Sequence, residues 1–153
     1  MPAIESVEFM PRPDGYGPEG PDRYIAYGAD RIPLGMLLVI PGPDIIRIPE
    51  IWLLDDYGLV GGGELLGAFS ATLEPATRVI ATVDHHNSLL VLKASGYLDS
   101  AFRDPSVRIT DPEFLVMVPM VRLAESGGFT VNAIGFEREG DDLSVYLDIQ
   151  VAG

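Results

Sequence analysis

The segment RVIATVDHHNSLLVLKAS, residues 78–95, decides how the second half of the chain is interpreted, because a short polar centre joins two apolar runs. The runs VIATV and SLLVL flank the tetrapeptide DHHN. Asp and Asn favour turns, since their side chains hydrogen-bond nearby backbone and tolerate left-handed φ. Matched apolar runs on both sides of such a turn are typical of a β-hairpin. We therefore predict two antiparallel strands joined at residues 84–87.

Other parts of the chain favour the same architecture. Apolar residues occupy every second position from Leu143 to Val151, which indicates a half-buried strand. Pro49 interrupts the apolar run at 45–54 and indicates an edge or a bulge. The remaining apolar runs are short. No segment is predicted to form a helix long enough to connect two parallel strands. We expect an all-β fold, with residues 1–153 forming a single-domain antiparallel β-sandwich or barrel, jelly-roll-like in type.

Residues 11–22, PRPDGYGPEGPD, contain four prolines and three glycines. Prolines lack a backbone donor and glycines add backbone entropy, so this composition excludes a helix or an interior strand. We predict an extended Pro/Gly-rich arm or loop. Tyrosines in and near it suit a protein interface. The predicted interface residues are Pro11, Pro13, Tyr16, Pro18 and Tyr24.

The charge of the chain argues against several partners. Ten Lys and Arg residues oppose 23 Asp and Glu residues, giving a net charge of -13. Such a surface repels nucleic acid and anionic lipid, so neither is expected as a partner. The longest uncharged apolar run, residues 32–43, is short of the roughly 20 residues that span a bilayer. With no signal-peptide pattern, we expect a soluble cytoplasmic or virion protein, and the many prolines suggest thermostability.

The triplet Asp84-His85-His86 resembles the signature of the DHH phosphoesterases. The resemblance implies a metal-dependent phosphoesterase in which Asp84 and His85 help to hold catalytic divalent metals. Asp55 would correspond loosely to the family's separate aspartate motif. Carboxylate and imidazole ligands together suit manganese-like metals, which activate water against phosphoesters. Because adjacent histidines on extended backbone point to opposite faces, the hairpin remains our predicted structure, and no metal or cofactor is expected.

The glycines of GGGELLG, at positions 61, 63 and 67, approach a dinucleotide-binding fingerprint. That fingerprint requires a strand before it and a helix after it. Since no long helix is predicted, we interpret residues 55–63 as a flexible loop. Residues 64–74 are left open between a short helix and a strand.

These observations predict a non-catalytic structural protein that self-associates or docks on a larger scaffold. A virion accessory protein, decorating a capsid or joining tail parts, has this profile. One alternative is the phosphoesterase described above. The other is a small-molecule-binding β-barrel whose cavity is lined by Trp52, Phe69 and Phe114.

Overall fold

The computed structural model describes residues 4–10, 22–53 and 58–152. Within them it contains seven strands, five α-helices and one short 3-10 turn. The strands are β1 Ser6–Met10, β2 Asp22–Tyr27, β3 Pro33–Ile40, β4 Ile45–Leu53, β5 Arg78–Thr82, β6 Phe129–Glu139 and β7 Asp142–Val151. The helices are α1 Gly58–Ser70, α2 His86–Ala94, α3 Tyr97–Arg103, α4 Pro112–Leu115 and α5 Pro119–Ser126, and the 3-10 turn is Ala29–Arg31.

All seven strands form one sheet in the order β1-β2-β3-β4-β5-β7-β6. Neighbours are antiparallel except β4 and β5, which are parallel and are joined through helix α1. The chain is therefore a mixed α/β protein with an open sheet. The predicted all-β sandwich or barrel is wrong.

The hairpin predicted at residues 84–87 is also wrong. Strand β5 ends at Thr82, and the run SLLVL lies in helix α2 instead of in a returning strand. Strand β5 pairs with β7, which arrives from the far end of the chain. A short apolar run fits one buried helix face as well as a strand, and the leucines, lysine and alanine of α2 are good helix formers.

Strand β7 is confirmed where the alternating pattern predicts it. Its residues Val145, Leu147, Ile149 and Val151 are buried on the sheet face that the helices cover. Helix α1 packs there against β2, β3 and β4, and α5 packs against β6 and α1. Each fully buried aliphatic side chain stabilises the fold by about 1.5–3 kcal/mol.

Two glycines allow α1 and the end of α5 to approach closely. A Cβ on Gly63 would collide with the hydroxyl of Ser126, and a Cβ on Gly127 would lie 2.6 Å from the Cβ of Leu66. Helix α1 therefore packs closely against the end of α5.

The opposite side of β2, β3 and β4 is called here the open face. Ile25, Met36 and Trp52 lie side by side across these three strands and alternate with core residues such as Ala26 and Leu37. Trp52 is 41% exposed. In the described part of the chain, no helix is long and apolar enough to cross a membrane.

Candidate functional site

Strand β4 carries a bulge at Pro49. Leu38 of β3 lies opposite Glu50, whereas Ile40, two residues on, lies opposite Arg47. Strand β4 therefore has one more residue than β3 at this point. Because proline has no N–H to give to a neighbouring strand, it is tolerated at such a site. The bulge indicated by the sequence is confirmed.

Beyond the bulge, the two parallel strands separate. Their pairing runs from Ile45 opposite Arg78 to Ile48 opposite Ala81 and then stops, although β4 continues to Leu53. The chain after β5 follows β7 instead, since the N–H of Val83 donates to the carbonyl of Val145 at 2.8 Å. Among the described residues, positions 49–53 have a strand partner on one side only. A cleft opens on the other side.

The cleft has a volume of about 240 Å³. It lies at the carboxyl ends of β4 and β5, where open α/β sheets place their ligands. Its walls combine two acids, one histidine and apolar side chains. The lining residues are Glu50, Ile51, Trp52, Asp84, His85, Met120 and Leu123.

A partly buried hydrogen-bond network holds His85 at the cleft wall. The Nδ1 atom of His85 lies 3.0 Å from the hydroxyl oxygen of Ser88 and accepts from the Ser88 N–H at 3.3 Å. The same hydroxyl oxygen accepts from the N–H of Met120 at 3.0 Å. Because Nδ1 is an acceptor in this contact, Nε2 is the ring nitrogen that carries the N–H. Ser88, which is fully buried, joins the first turns of α2 and α5.

Helix α1 begins at Gly58, five residues after β4 ends. The first N–H groups of a helix lack intrahelical partners and form a ready site for anions such as phosphate. The glycines predicted to form a flexible loop instead occupy the first turns of this helix, where the structure describes them. The strand and helix that a phosphate-binding pattern requires are therefore both present.

The DHH triplet does not form a metal centre in the described structure. His85 caps α2, and His86 is its first residue. Within the described ranges, no group of three or more His, Asp or Glu side chains could hold a metal ion. Asp55 lies outside these ranges. The phosphoesterase interpretation therefore has no ligand set in the described structure.

A buried carboxylate that the sequence analysis missed lies on β7. Asp148 accepts from Arg78 at 3.1 Å and from Arg108 at 2.9 Å, and its side chain is only 5% exposed. Burial alone would raise the pKa of Asp148, but the hydrogen bonds from Arg108 and Arg78 outweigh burial and lower that pKa. The cluster ties β5 and β7 to the segment before α4.

Most of the predicted interface lies outside the described residues, namely Pro11, Pro13, Tyr16 and Pro18. Tyr24 lies in β2, with its ring centroid 5.1 Å from that of Phe9 and 5.3 Å from that of Phe69. Its hydroxyl is 3.5 Å from the hydroxyl of Thr72. The interface and the homo-oligomer remain predictions.

The chain was compared with known proteins. No family model and no curated protein matches the sequence. A Bacillus subtilis acetyltransferase in complex with CoA matches with a TM-score of 0.43 and 10% identity, over 87% of this chain and 77% of that one. A chimera of spermidine N-acetyltransferase SpeG from Vibrio cholerae and hSSAT gives 0.48 and 12%, over 86% and 67%. Nourseothricin acetyltransferase gives 0.48 and 13%, over 98% and 90%.

The fold corrects the predicted function. The all-β premise of a non-catalytic virion assembly protein does not hold, because the described residues form a mixed α/β fold around one seven-stranded sheet. The β-barrel alternative fails with the same premise. Of its proposed cavity residues, Phe69 is in the core, Phe114 packs on Tyr97, and Trp52 lines the cleft.

Proposed function

We propose that the protein is a GNAT-like acyltransferase that binds an acyl-coenzyme A donor in the cleft between β4 and β5. The separation of these parallel strands beside a glycine-rich helix start is the observation that carries the proposal. The three solved structures suggest acyl transfer as the reaction to test. The proposal itself is supported by the geometry of the cleft and of the start of α1.

The free edge of β4 suits the extended arm of such a donor. Coenzyme A has a flexible chain with amide groups, and extended amide-containing ligands bind by adding to the unpaired edge of a sheet. Residues 49–53 offer such an edge toward the cleft. Ile51 and Leu123 add apolar surface on the cleft walls.

The start of α1 suits the phosphates of the donor. The first N–H groups of a helix have no partner within the helix, and together with the positive end of the helix dipole they attract an anion. The whole chain carries a net charge of -13, which repels the phosphates of the donor. The local attraction at the start of α1 must overcome this repulsion. The donor is therefore expected to bind through directed backbone contacts instead of a basic patch.

The reaction joins the acyl group to an amine. A C–N bond forms, the thioester C–S bond breaks, the amine nitrogen loses a proton and the thiolate gains one. Glu50 and Asp84 line the cleft and supply carboxylates that can accept the proton. The Nε2–H of His85 supplies a hydrogen-bond donor in the same wall.

Thiol release tests the proposal directly. The chain has no cysteine, so every thiol detected with a disulfide reagent comes from the donor. We expect calorimetry to give an acetyl-coenzyme A dissociation constant between about 1 μM and 1 mM, with thiol release that depends on an added amine. Absence of binding at millimolar donor would refute the proposal.

A pair of variants in α1 locates the phosphate contact. Gly58→Asp places a carboxylate at the helix start, where it is compatible with the helix dipole but competes with phosphate. Gly67→Asp is the control, because a side chain at Gly67 meets no atom within 4 Å and lies farther along the helix. We expect at least about tenfold weaker donor binding for the first variant, or about 1.4 kcal/mol, and little change for the second. Equal affinities would place the phosphates elsewhere.

A further inference from the structure

A groove crosses the open face next to the cleft. Its floor is the row formed by Ile25, Met36 and Trp52, which are neighbours across β2, β3 and β4. Pro33 and Gly35 complete its apolar lining, and the groove encloses about 290 Å³. It is therefore large enough for a small organic molecule and offers mainly carbon surface.

The groove and the cleft share two residues. Glu50 and Trp52 line both, so the groove adjoins the cleft at the part of β4 that β5 does not pair. The bulge at Pro49 produces this connection, because it shifts the alternation of β4 and turns Glu50 and Trp52 toward the open face.

Glu50 is the one charged residue among the described residues that line the groove. A carboxylate at the end of an apolar groove is complementary to one ammonium group attached to an apolar body. The face of Trp52 can add a cation–π contact. A second cationic group would lie against apolar side chains and lose hydration without a partner.

A second cavity on the same side of the sheet has the opposite character. It encloses about 130 Å³ and is lined by Arg47, Glu137 and Glu139 together with apolar and hydroxyl side chains. Its two glutamates and one arginine make it a polar cavity, which suits an acceptor with several polar or charged groups better than one with an apolar body. The two cavities therefore predict different acceptors.

We infer that the acceptor is an apolar monoamine, with its aliphatic or aromatic body along the row Ile25, Met36 and Trp52 and its amino group at Glu50. This inference rests on the proposed acyltransferase function. It adds the chemical class of the acceptor and the surface that selects it.

Trp52 is the only tryptophan of the chain and lines both the groove and the cleft, so tryptophan emission reports on these two adjoining cavities. The probes are hexylamine, the neutral hexan-1-ol and the polycation spermidine, each titrated with and without coenzyme A. We expect hexylamine to change the Trp52 emission saturably. Hexan-1-ol and spermidine are expected to bind at least about tenfold more weakly, since each lacks one of the two matching features.

Two variants connect binding with turnover. Met36→Lys places a cation in the groove on a partly exposed strand position, and Glu137→Lys places a cation in the second cavity. We expect Met36→Lys to lower kcat/KM for hexylamine at least about tenfold, with the KM for acetyl-coenzyme A unchanged. Glu137→Lys should leave both parameters within about twofold.

The outcomes separate the inference from the function on which it rests. Saturable hexylamine binding without thiol release would support the monoamine groove and refute the acyltransferase. Thiol release that prefers spermidine and is lost in Glu137→Lys would support the acyltransferase and overturn the groove. No saturable Trp52 response to hexylamine, with or without coenzyme A, would also overturn the groove.

Discussion

Strands β7 and β4 are both long, yet they serve different purposes. Strand β7 has a partner on each side, β5 and β6, and its apolar residues alternate regularly into the core. Strand β4 pairs with β3 from Arg47 to Leu53 but loses β5 after Ile48. Backbone groups without a strand partner must find other partners, which can be side chains, water or a ligand. The fully paired strand β7 therefore stabilises the sheet. Strand β4, which loses one neighbour, forms a wall of the candidate site.

The largest expected effect comes from the scaffold strand. Leu147 is fully buried on β7, and Leu147→Ala should lower the free energy of unfolding by about 2–5 kcal/mol, because the core loses apolar contact and gains a cavity. Trp52→Ala on the exposed end of β4 should cost only about 1 kcal/mol. Urea unfolding measures both. Similar losses of unfolding free energy in the two variants would contradict the view that β7 stabilises the fold more than the end of β4 does.

The same comparison explains what the sequence could predict of the fold. The sequence of β7 alternates apolar and polar residues because one face of the strand is buried and the other is more exposed. The bulge in β4 could be predicted because proline lacks an N–H for strand pairing. Helix α2 was missed because its apolar run is too short to show a helical period. The parallel pairing of β4 with β5 requires a connecting helix, which is α1. It was missed because the glycines of α1 are typical of a loop.

The candidate site was only partly predictable for a related reason. His85 was noticed for its chemistry, but its role as the cap of α2 depends on Ser88, which no motif marks. The link from Ser88 to Met120 joins residues 32 positions apart. Trp52 was selected for a barrel cavity and instead lies between cleft and groove. Contacts between distant segments carry no local sequence signal.

A second prediction sharpens the scaffold side of the comparison. The pKa of Asp148 is lowered in the folded protein, so its stabilising effect is present above the unfolded value of about 3.9 and is lost as the pH falls through the lower folded value. Asp148→Asn should cost about 1–2 kcal/mol at pH 7, a modest figure because both arginines are half exposed.

The stability gap between wild type and Asp148→Asn should shrink as the pH drops below about 4, because the carboxyl becomes neutral there in the unfolded chain and at lower pH in the folded protein. Asp141→Asn, in the exposed β6–β7 turn, is the control and should show no comparable gap. Urea midpoints from pH 3 to pH 7 give the measurement. A gap that is constant with pH would mean that the carboxylate charge does not stabilise β7.

The smallest expected effect concerns the site strand. Pro49→Val restores a backbone N–H at the bulge and allows β4 to lie closer to β5, which narrows the cleft. We expect acetyl-coenzyme A to bind about fivefold more weakly, or about 1 kcal/mol, with the free energy of unfolding changed by less than that. Pro75→Val, in the loop before β5, controls for the loss of a proline from the unfolded chain. Unchanged donor affinity in Pro49→Val would show that the separation of β4 from β5 does not depend on this residue, and the cleft would then have to be explained by the packing of α1 against α5.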